Sequence, residues 1–245
     1  MQFKNSLKIS ISLISTNLKY KWIYIITAML FIYGFMNVHK TMPPMLNFIN
    51  NSGSEMNYVF IIIPCFCFWY AWSMSHLDQT IKAHLLQRPI YVSVMIANSI
   101  VNSLVYSFFI GVTMFLSVGV RQGVTLYFFY RTINLYVLLI WILSMFGYLL
   151  FISVMMTCIY QFVKGPILTA AVCILLVCSE NLISFFWGRN LLVSRLPSAT
   201  NIVKLAKGGL FDLFLLFIGL IILASIFLGI VVNRKDWLMN RGEQG

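Results

Sequence analysis

The sequence predicts an all-α polytopic membrane protein. Of its 245 residues, 60% are hydrophobic and only 9% are charged, whereas a soluble globular domain carries about 25% charged residues. The polar side chains are too few to cover a water-facing surface, which excludes soluble enzymes, nucleic-acid-binding proteins and disordered scaffolds. The apolar runs are continuous and lack the alternation over about ten residues of a membrane β-barrel, so the spans are expected to be helices.

Six apolar runs are candidates for membrane-spanning helices, each of which needs about 20 apolar residues. The first two runs are short, whereas the third and fourth are long enough to tilt or to project beyond the bilayer. No linker, low-complexity tract or internal repeat separates them, so residues 1–245 are predicted to form one transmembrane domain. The six predicted spans are residues 22–38, 58–75, 90–120, 132–163, 166–187 and 210–232.

An amphipathic helix is predicted over residues 1–21, before the first span. Apolar side chains recur there every three or four residues, while the lysines lie on another side. This pattern is typical of a helix that lies in the membrane interface. The alternative is an ordinary basic leader before the first span. The residues expected to anchor this interfacial helix are Phe3, Leu7, Ile11, Leu18 and Trp22.

The distribution of basic residues predicts the orientation in the membrane. The net charge of +11 fits anionic lipid headgroups and the positive-inside rule better than it fits nucleic acid. With the amino terminus inside, the cytoplasmic segments hold more Lys and Arg than the outer segments, and the first segment is purely basic. Both termini are therefore expected in the cytoplasm, which agrees with an even number of spans.

Between the second and third spans, residues 76–89 are predicted to form a short amphipathic helix on the cytoplasmic membrane surface. Leu77, Ile81 and Leu85 recur every four residues, and Pro89 ends the pattern. A helix held at the membrane by its apolar side can present its polar side to a soluble partner. The alternative is a surface helix that only closes the loop.

The connection over residues 179–209, before the last span, is too apolar for a solvated loop, yet glycine and proline interrupt it. This composition favours short helices that re-enter the bilayer or lie in its outer leaflet, where they could form the exit of a pathway. The alternative is an interfacial loop that Phe185, Phe186 and Trp187 anchor among the lipid headgroups.

A few polar residues lie inside or beside the apolar runs. An ionisable residue in a membrane is costly and marks a candidate functional site, although each acid here could also pair with a basic residue of the outer connection. Neutral polar residues in spans equally fit hydrogen bonds between helices. The candidate pathway residues are Glu180, Asn98, Asn102 and Asp212.

The sequence carries no pattern of a catalytic site. It lacks the phosphate-binding loop G-x-x-x-x-G-K-[ST], the H-E-x-x-H metal motif and the G-x-S-x-G turn. The five cysteines all fall in apolar runs and are expected to behave as small apolar side chains. The chain is therefore predicted not to be an enzyme by itself and to bind no metal or cofactor, so any active transport must draw energy from a partner.

The order of these features resembles the ABC-2 type permeases, the membrane subunits of type V ABC exporters. The stretch IKAHLLQRPIYVSVMIANSI at residues 81–100 is similar to the family's passage from a coupling helix, through an LL-x-x-P ending, into the third span. LPSA at residues 196–199 and NRKDW at residues 233–237 also resemble family features. The chain departs from the family's common E-R-E-x-G-T form, because it has His76, Asp78 and Gln79 where acids and glycine are frequent.

The resemblance implies a membrane complex that is powered by ATP. Two permeases, identical or sister chains, would pair in a bacterial cell membrane with two ATP-binding ABC subunits, which would bind ATP and Mg. Its length and small outer loops look most like the peptide-handling branch, which implies export of amphipathic or antimicrobial peptides. The residues that would couple the partner's cycle to this chain are Leu77, Asp78, Ile81, Lys82, Leu85 and Arg88.

Other functions remain open at the level of sequence. The chain could be a membrane immunity or interaction protein that binds a toxic peptide without transporting it. It could also belong to an ABC-2 exporter of a polysaccharide or a lipid-linked substrate, since a fold does not fix a function. A secondary transporter is disfavoured by the absence of acids near the midplane and of a repeat, and an intramembrane enzyme by the absence of a catalytic constellation.

Overall fold

The described part of the chain is helical apart from short turns and connections. A computed structural model describes residues 21–39, 41–53, 58–83, 88–123, 132–163, 165–187 and 209–242, and no strand occurs among them. A short π-helical stretch, Tyr58–Ile62, leads into the third helix. The helices are α1 (Lys21–Met36), α2 (Pro44–Gly53), α3 (Ile63–Ala83), α4 (Arg88–Gln122), α5 (Thr132–Val163), α6 (Pro166–Trp187) and α7 (Leu210–Gly242).

Four stretches within the described residues are long and apolar enough to cross a membrane, which confirms the predicted class. They are Phe60–Leu77, Tyr91–Gln122, Leu135–Val163 and Phe211–Val232. The predicted spans at residues 22–38 and 166–187 coincide with α1 and α6, whose apolar stretches are shorter: α1 has 16 residues, and the apolar part of α6 is Pro166–Glu180.

Two helices run further than the sequence predicts. The predicted second span ends at residue 75, whereas α3 continues to Ala83, because neither glycine nor proline follows Pro64 within it. The first part of the predicted surface helix is therefore the end of α3. Similarly, α7 continues beyond residue 232 to Gly242, so the charged residues at its end extend the helix.

The centre of the bundle is α5, which packs against α3, α4, α6 and α7. Helix α4 runs antiparallel to it, since Ser103 meets Ser153 and Tyr91 meets Gln161. The other face of α4 packs against α1 and α2. The largest fully buried side chains come from most of the helices and include Phe48, Phe66, Tyr70, Tyr106, Trp141, Tyr148 and Phe217.

Helix α2 is an element that the sequence analysis did not predict. Pro44 stands at its first position, where a missing N–H costs nothing. Phe48 is buried and lies edge-on to Phe115 and Trp141, with ring centroids 5.5 and 6.1 Å away. Buried Asn47 closes the preceding turn, because its amide donates to the carbonyl of His39 at 2.7 Å and accepts from the His39 N–H at 3.0 Å. This helix therefore closes one end of the bundle.

Glycines allow two pairs of helices to approach closely. A Cβ atom on Gly147 of α5 would lie 2.8 Å from the ring of Phe217 on α7, and a Cβ atom on Gly34 of α1 would collide with the Ser117 hydroxyl of α4. Any larger side chain would push these helices apart. The outward faces carry large apolar side chains, as at Ile25, Met29, Ile32 and Met36 of α1, which in a bilayer would face lipid.

Candidate functional site

A group of polar side chains lies inside the bundle where α3, α4 and α5 meet, and we call it the polar cluster. All of its members except the partly exposed Trp69 are buried, at 0–1% exposure. Burying polar groups is unfavourable unless they form hydrogen bonds. The polar cluster consists of Trp69, Tyr70 and Ser73 from α3, Asn98, Ser99 and Asn102 from α4, and Thr157 from α5.

Two asparagines form the first half of the polar cluster. Asn102 accepts a hydrogen bond from the Trp69 indole at 2.8 Å, which joins α4 to α3. Its amide nitrogen donates to the Asn98 side-chain oxygen at 2.8 Å and to the Asn98 carbonyl at 2.8 Å. Ser73 donates to the same side-chain oxygen of Asn98 at 3.2 Å. These contacts tie one turn of α3 to one turn of α4.

Three hydroxyl groups form the second half and link all three helices. The Tyr70 hydroxyl lies 2.7 Å from the Ser99 hydroxyl and 2.7 Å from the Thr157 hydroxyl. Ser99 can donate to the carbonyl of Met95 at 3.1 Å, and Thr157 to the carbonyl of Ser153 at 2.9 Å. Tyr70 has a single hydroxyl proton and can donate it to only one of these two neighbours. The other neighbour then donates to Tyr70 instead of to the carbonyl of its own helix. The hydroxyls therefore allow two arrangements, which differ in the neighbour that accepts from Tyr70.

The orientation of both asparagine amides follows from Trp69. An indole N–H can only donate, so the oxygen of Asn102 must face it and the nitrogen of Asn102 must face Asn98. Asn98 therefore turns its oxygen towards Asn102, since two amide nitrogens at that distance would repel each other. The amide nitrogen of Asn98 is left buried and has no hydrogen-bond partner among the described residues. This unpaired donor is a consequence of the network and not of an amide that could simply be turned over.

The polar cluster lies nearer to the end of the bundle where α3 ends and α4 begins. About 15 Å of helix separates Ser73 from Ala83, and a similar length separates Arg88 from Asn98. Between the cluster and that end, Gln161 of α5 donates to the Tyr91 hydroxyl of α4 at 2.8 Å. Hydrogen bonds thus join α3 and α4 to α5 within the polar cluster, and α4 alone to α5 nearer that end.

The structure brings together two of the four predicted pathway residues. Asn98 and Asn102 lie in the polar cluster, at 0% exposure. Glu180 is partly buried on α6, where it is near enough to Tyr148 to interact electrostatically, and Asp212 is exposed in the first turn of α7. An acid in a first turn also interacts favourably with the helix dipole. Neither acid is a member of the polar cluster.

Sequence reasoning missed five members of the polar cluster, namely Trp69, Tyr70, Ser73, Ser99 and Thr157. Each is common in membrane helices, and nothing in its local spacing distinguishes it from a lipid-facing or packing residue. One signal was present: Trp69 and Ser73 are four residues apart, as are Asn98 and Asn102, so each pair shares a helix face. Which faces meet is decided by packing between helices.

The predicted partner-coupling residues fall partly outside the described chain. Leu77 is fully buried in the core, so it packs within the bundle instead of lying on a surface. Asp78, Ile81 and Lys82 lie in the last turns of α3, and Arg88 begins α4, but their side chains lie outside the described set, as does Leu85 altogether.

The predicted interfacial helix also lies outside the described residues, with Phe3, Leu7, Ile11 and Leu18. Trp22 lies in α1, but its side chain is not among those described. In the outer connection, residues 188–208 lie outside the described chain as well. All five cysteines are free thiols, and Cys67, Cys158 and Cys173 are buried, as expected for small apolar side chains.

The polar cluster contains neither an acid nor a base that ionises near neutral pH, so its chemistry is hydrogen bonding between helices. In a bilayer such bonds fix the relative positions of helices, and each contributes about 0.6 kcal/mol on average. Comparison with known proteins found no matching family model, no similar curated protein and no similar solved structure.

Proposed function

We propose that the chain is the permease subunit of an ATP-driven exporter and works with a separate ATP-binding subunit. In this proposal α1 and α6 cross the membrane together with the four longer helices, which gives six spans, and both termini lie in the cytoplasm. The observation that supports it is the polar cluster, which ties α3 and α4 to α5 about 15 Å from the ends of α3 and α4 that would face the partner.

A movement of the ends of α3 and α4 would spread through the bundle. The hydrogen bonds of the polar cluster make α3, α4 and α5 move together, since separating them would leave polar groups unpaired in a low-dielectric interior. Helix α5 in turn contacts α6 and α7. A partner that pushes on residues 76–89 would therefore displace most of the bundle and not only the adjoining parts of α3 and α4.

The proposed substrate is an amphipathic or antimicrobial peptide. Such a peptide enters the bilayer with its apolar face and could reach the chain from the side. Exposed apolar side chains line the outer faces of α1, α6 and α7, which suits an approach through lipid. A second permease, identical or a sister chain, would complete the pathway, and the partner would supply ATP and Mg.

The experiment that tests this proposal is recovery of the tagged full chain from its native cell in nanodiscs, followed by mass spectrometry and an ATPase assay. We expect a P-loop ATPase in near-equal amount, with activity that amphipathic peptides stimulate. The double change Ile81→Asp and Leu85→Asp should abolish ATPase recovery. The control Asn50→Asp adds a negative charge at an exposed position of α2 and should leave the complex intact.

Three other outcomes would each contradict a part of this proposal. If the chain is recovered without an ATPase but still protects cells against a peptide, it is an immunity protein and the exporter proposal is wrong. If an ATPase is recovered but responds to lipid-linked sugars and not to peptides, the permease proposal holds and the peptide assignment fails. Unchanged ATPase recovery with the double aspartate variant would remove residues 76–89 from the coupling.

A further inference from the structure

Arg121 lies at the end of α4, where its charge has no acidic partner among the described residues. It stands in the last turn of the helix, one residue before the apolar stretch Tyr91–Gln122 ends. This is the depth at which hydrocarbon gives way to lipid headgroups. The side chain is exposed, and its guanidinium forms no ion pair or hydrogen bond within the described part of the chain. Its five N–H donors are therefore available to an acceptor outside the bundle.

Two aromatic rings of α1 hold this guanidinium in position. It lies over the Phe35 ring, 4.7 Å from the ring centroid, and Phe35 in turn stacks on Phe31 with ring centroids 6.4 Å apart. Stacking of this kind attracts a cation to the face of the ring. Because the side chain is already restricted, it has less conformational freedom to lose when it binds a ligand. The ends of α1 and α4 thus present a positioned cation at the membrane boundary.

An exposed apolar stripe on α1 begins beside this cation, since Met36 directly follows Phe35. The stripe is formed by side chains at spacings of four, three and four residues, which share one face of the helix. It is about 16 Å long, close to half of a hydrocarbon core that is about 30 Å thick. Its length therefore matches the acyl chains of a single leaflet. The α1 stripe consists of Ile25, Met29, Ile32 and Met36, which are 55–74% exposed.

We propose that Arg121 and the α1 stripe bind one phospholipid of the leaflet at this end of the bundle. The guanidinium would donate paired hydrogen bonds to the lipid phosphate, and an acyl chain would lie along the stripe. Charge and length select this ligand together, because the phosphate is the anion that a membrane supplies at the depth of Arg121. The inference is independent of transport and holds for either orientation of the chain in the membrane.

Native mass spectrometry of the full chain, delipidated in detergent and titrated with phosphatidylglycerol, measures the dissociation constant of the first bound lipid. We expect Arg121→Gln to raise this constant about fivefold, because a cation at the membrane surface is lost. The matched control is Asn50→Asp, which lowers the net charge by the same amount at an exposed position of α2 and should leave the constant unchanged. An unchanged constant in Arg121→Gln would overturn the site, as would equal weakening by Asn50→Asp, which would show a response to net charge only.

Two further probes separate the parts of the lipid. Diacylglycerol carries the acyl chains without the phosphate, and glycerol phosphate carries the phosphate without the chains, so both should bind more weakly than phosphatidylglycerol. Equal binding of diacylglycerol would overturn the contact with Arg121, and equal binding of glycerol phosphate would overturn the contact with the α1 stripe.

The variant Phe35→Leu tests the positioning of the guanidinium, because it removes the ring and keeps the charge. We expect it to weaken phosphatidylglycerol binding, but less than Arg121→Gln does. Unchanged binding would overturn the positioning role of Phe35. The melting temperature without lipid should be the same for Arg121→Gln and the parent chain, which distinguishes a loss of lipid binding from a loss of fold. If it falls, Arg121→Lys, which keeps the charge, should recover part of the lipid affinity; no recovery would overturn the phosphate contact.

Discussion

At the scale of single residues, Asn102 determines how neighbouring side chains of the polar cluster are oriented. It contacts Trp69 on α3 and Asn98 on its own helix, and these two contacts decide which atom each amide presents to its neighbours. Exchanging such a residue for an apolar one removes several hydrogen bonds at once and takes from the partly buried Trp69 indole N–H its acceptor. A substitution in the polar cluster should therefore lower the free energy of unfolding more than the removal of a hydroxyl that bonds only its own helix.

Asn102→Leu is expected to lower the free energy of unfolding by about 0.5–2 kcal/mol. The measurement is thermal unfolding in nanodiscs. A suitable control is Ser144→Ala, because the Ser144 hydroxyl is buried but bonds only the carbonyls of Ile140 and Trp141 in α5. Combining Asn102→Leu with Trp69→Phe should cost less than the sum of the two single changes; additive effects would contradict the hydrogen bond between them.

At the scale of elements, the helices are held by a mixture of polar contacts and close packing. The polar cluster joins α3, α4 and α5, whereas α2 is held mainly by the Phe48 ring and α7 by the close approach at Gly147. Where an apolar run was long, the predicted bounds agree with a helix, as at residues 132–163, which are the bounds of α5. Helix α2 was not predicted, because a ten-residue helix between spans has too short a pattern to separate from a loop.

Phe48→Ala should detach α2 from the bundle, since removal of a buried aromatic ring typically costs about 3–5 kcal/mol. Protease sensitivity of the 37–53 segment in nanodiscs should increase along with a lower melting temperature. Leu46→Ala is the matched control on the same helix, because Leu46 is 41% exposed. Equal sensitivity of the two variants would show that Phe48 does not hold α2.

Gly147→Val is expected to separate α5 from α7 and to destabilise the fold by about 1–3 kcal/mol. The reason is that the Phe217 ring is buried and leaves no space for a Cβ atom at Gly147. Gly219→Ala on α7 should cause no such loss, since a Cβ atom there would meet nothing within 4 Å. Thermal unfolding in nanodiscs measures both, and a tolerated Gly147→Val would contradict the close approach.

At the scale of the whole molecule, the composition and the continuous apolar runs predicted an all-helical membrane protein, and four long apolar helices agree with it. The candidate site was predictable only in part. Asn98 and Asn102 were recognisable because amides are unusual in apolar runs, whereas the other members of the polar cluster are ordinary in such runs; these are Trp69, Tyr70, Ser73, Ser99 and Thr157. The pairing of α3 with α4 and α5 depends on contacts between residues that are distant in sequence, which local spacing does not reveal.

The proposed orientation predicts which side of the membrane α2 occupies. With both termini in the cytoplasm, α2 faces the outside, so Asn50→Cys should react with a membrane-impermeant maleimide in intact cells. A tag after Gly245 should become accessible only after permeabilisation. The parent chain is the control for labelling of its own cysteines, which lie buried or partly buried. Labelling of Asn50→Cys only after permeabilisation would reverse the orientation.

The uneven burial of the spans has a consequence for biosynthesis. Only 17% of Phe211–Val232 in α7 is buried, against 67% of Leu135–Val163 in α5, and the α7 stretch is also the most apolar of the four. It can leave the translocon for lipid unaided. The stretch Phe60–Leu77 in α3 is the least apolar and is synthesised before α4 and α5, which carry the partners of Tyr70 and Ser73. The polar side chains of this stretch therefore gain their hydrogen-bond partners only after the ribosome has delivered the two helices that follow.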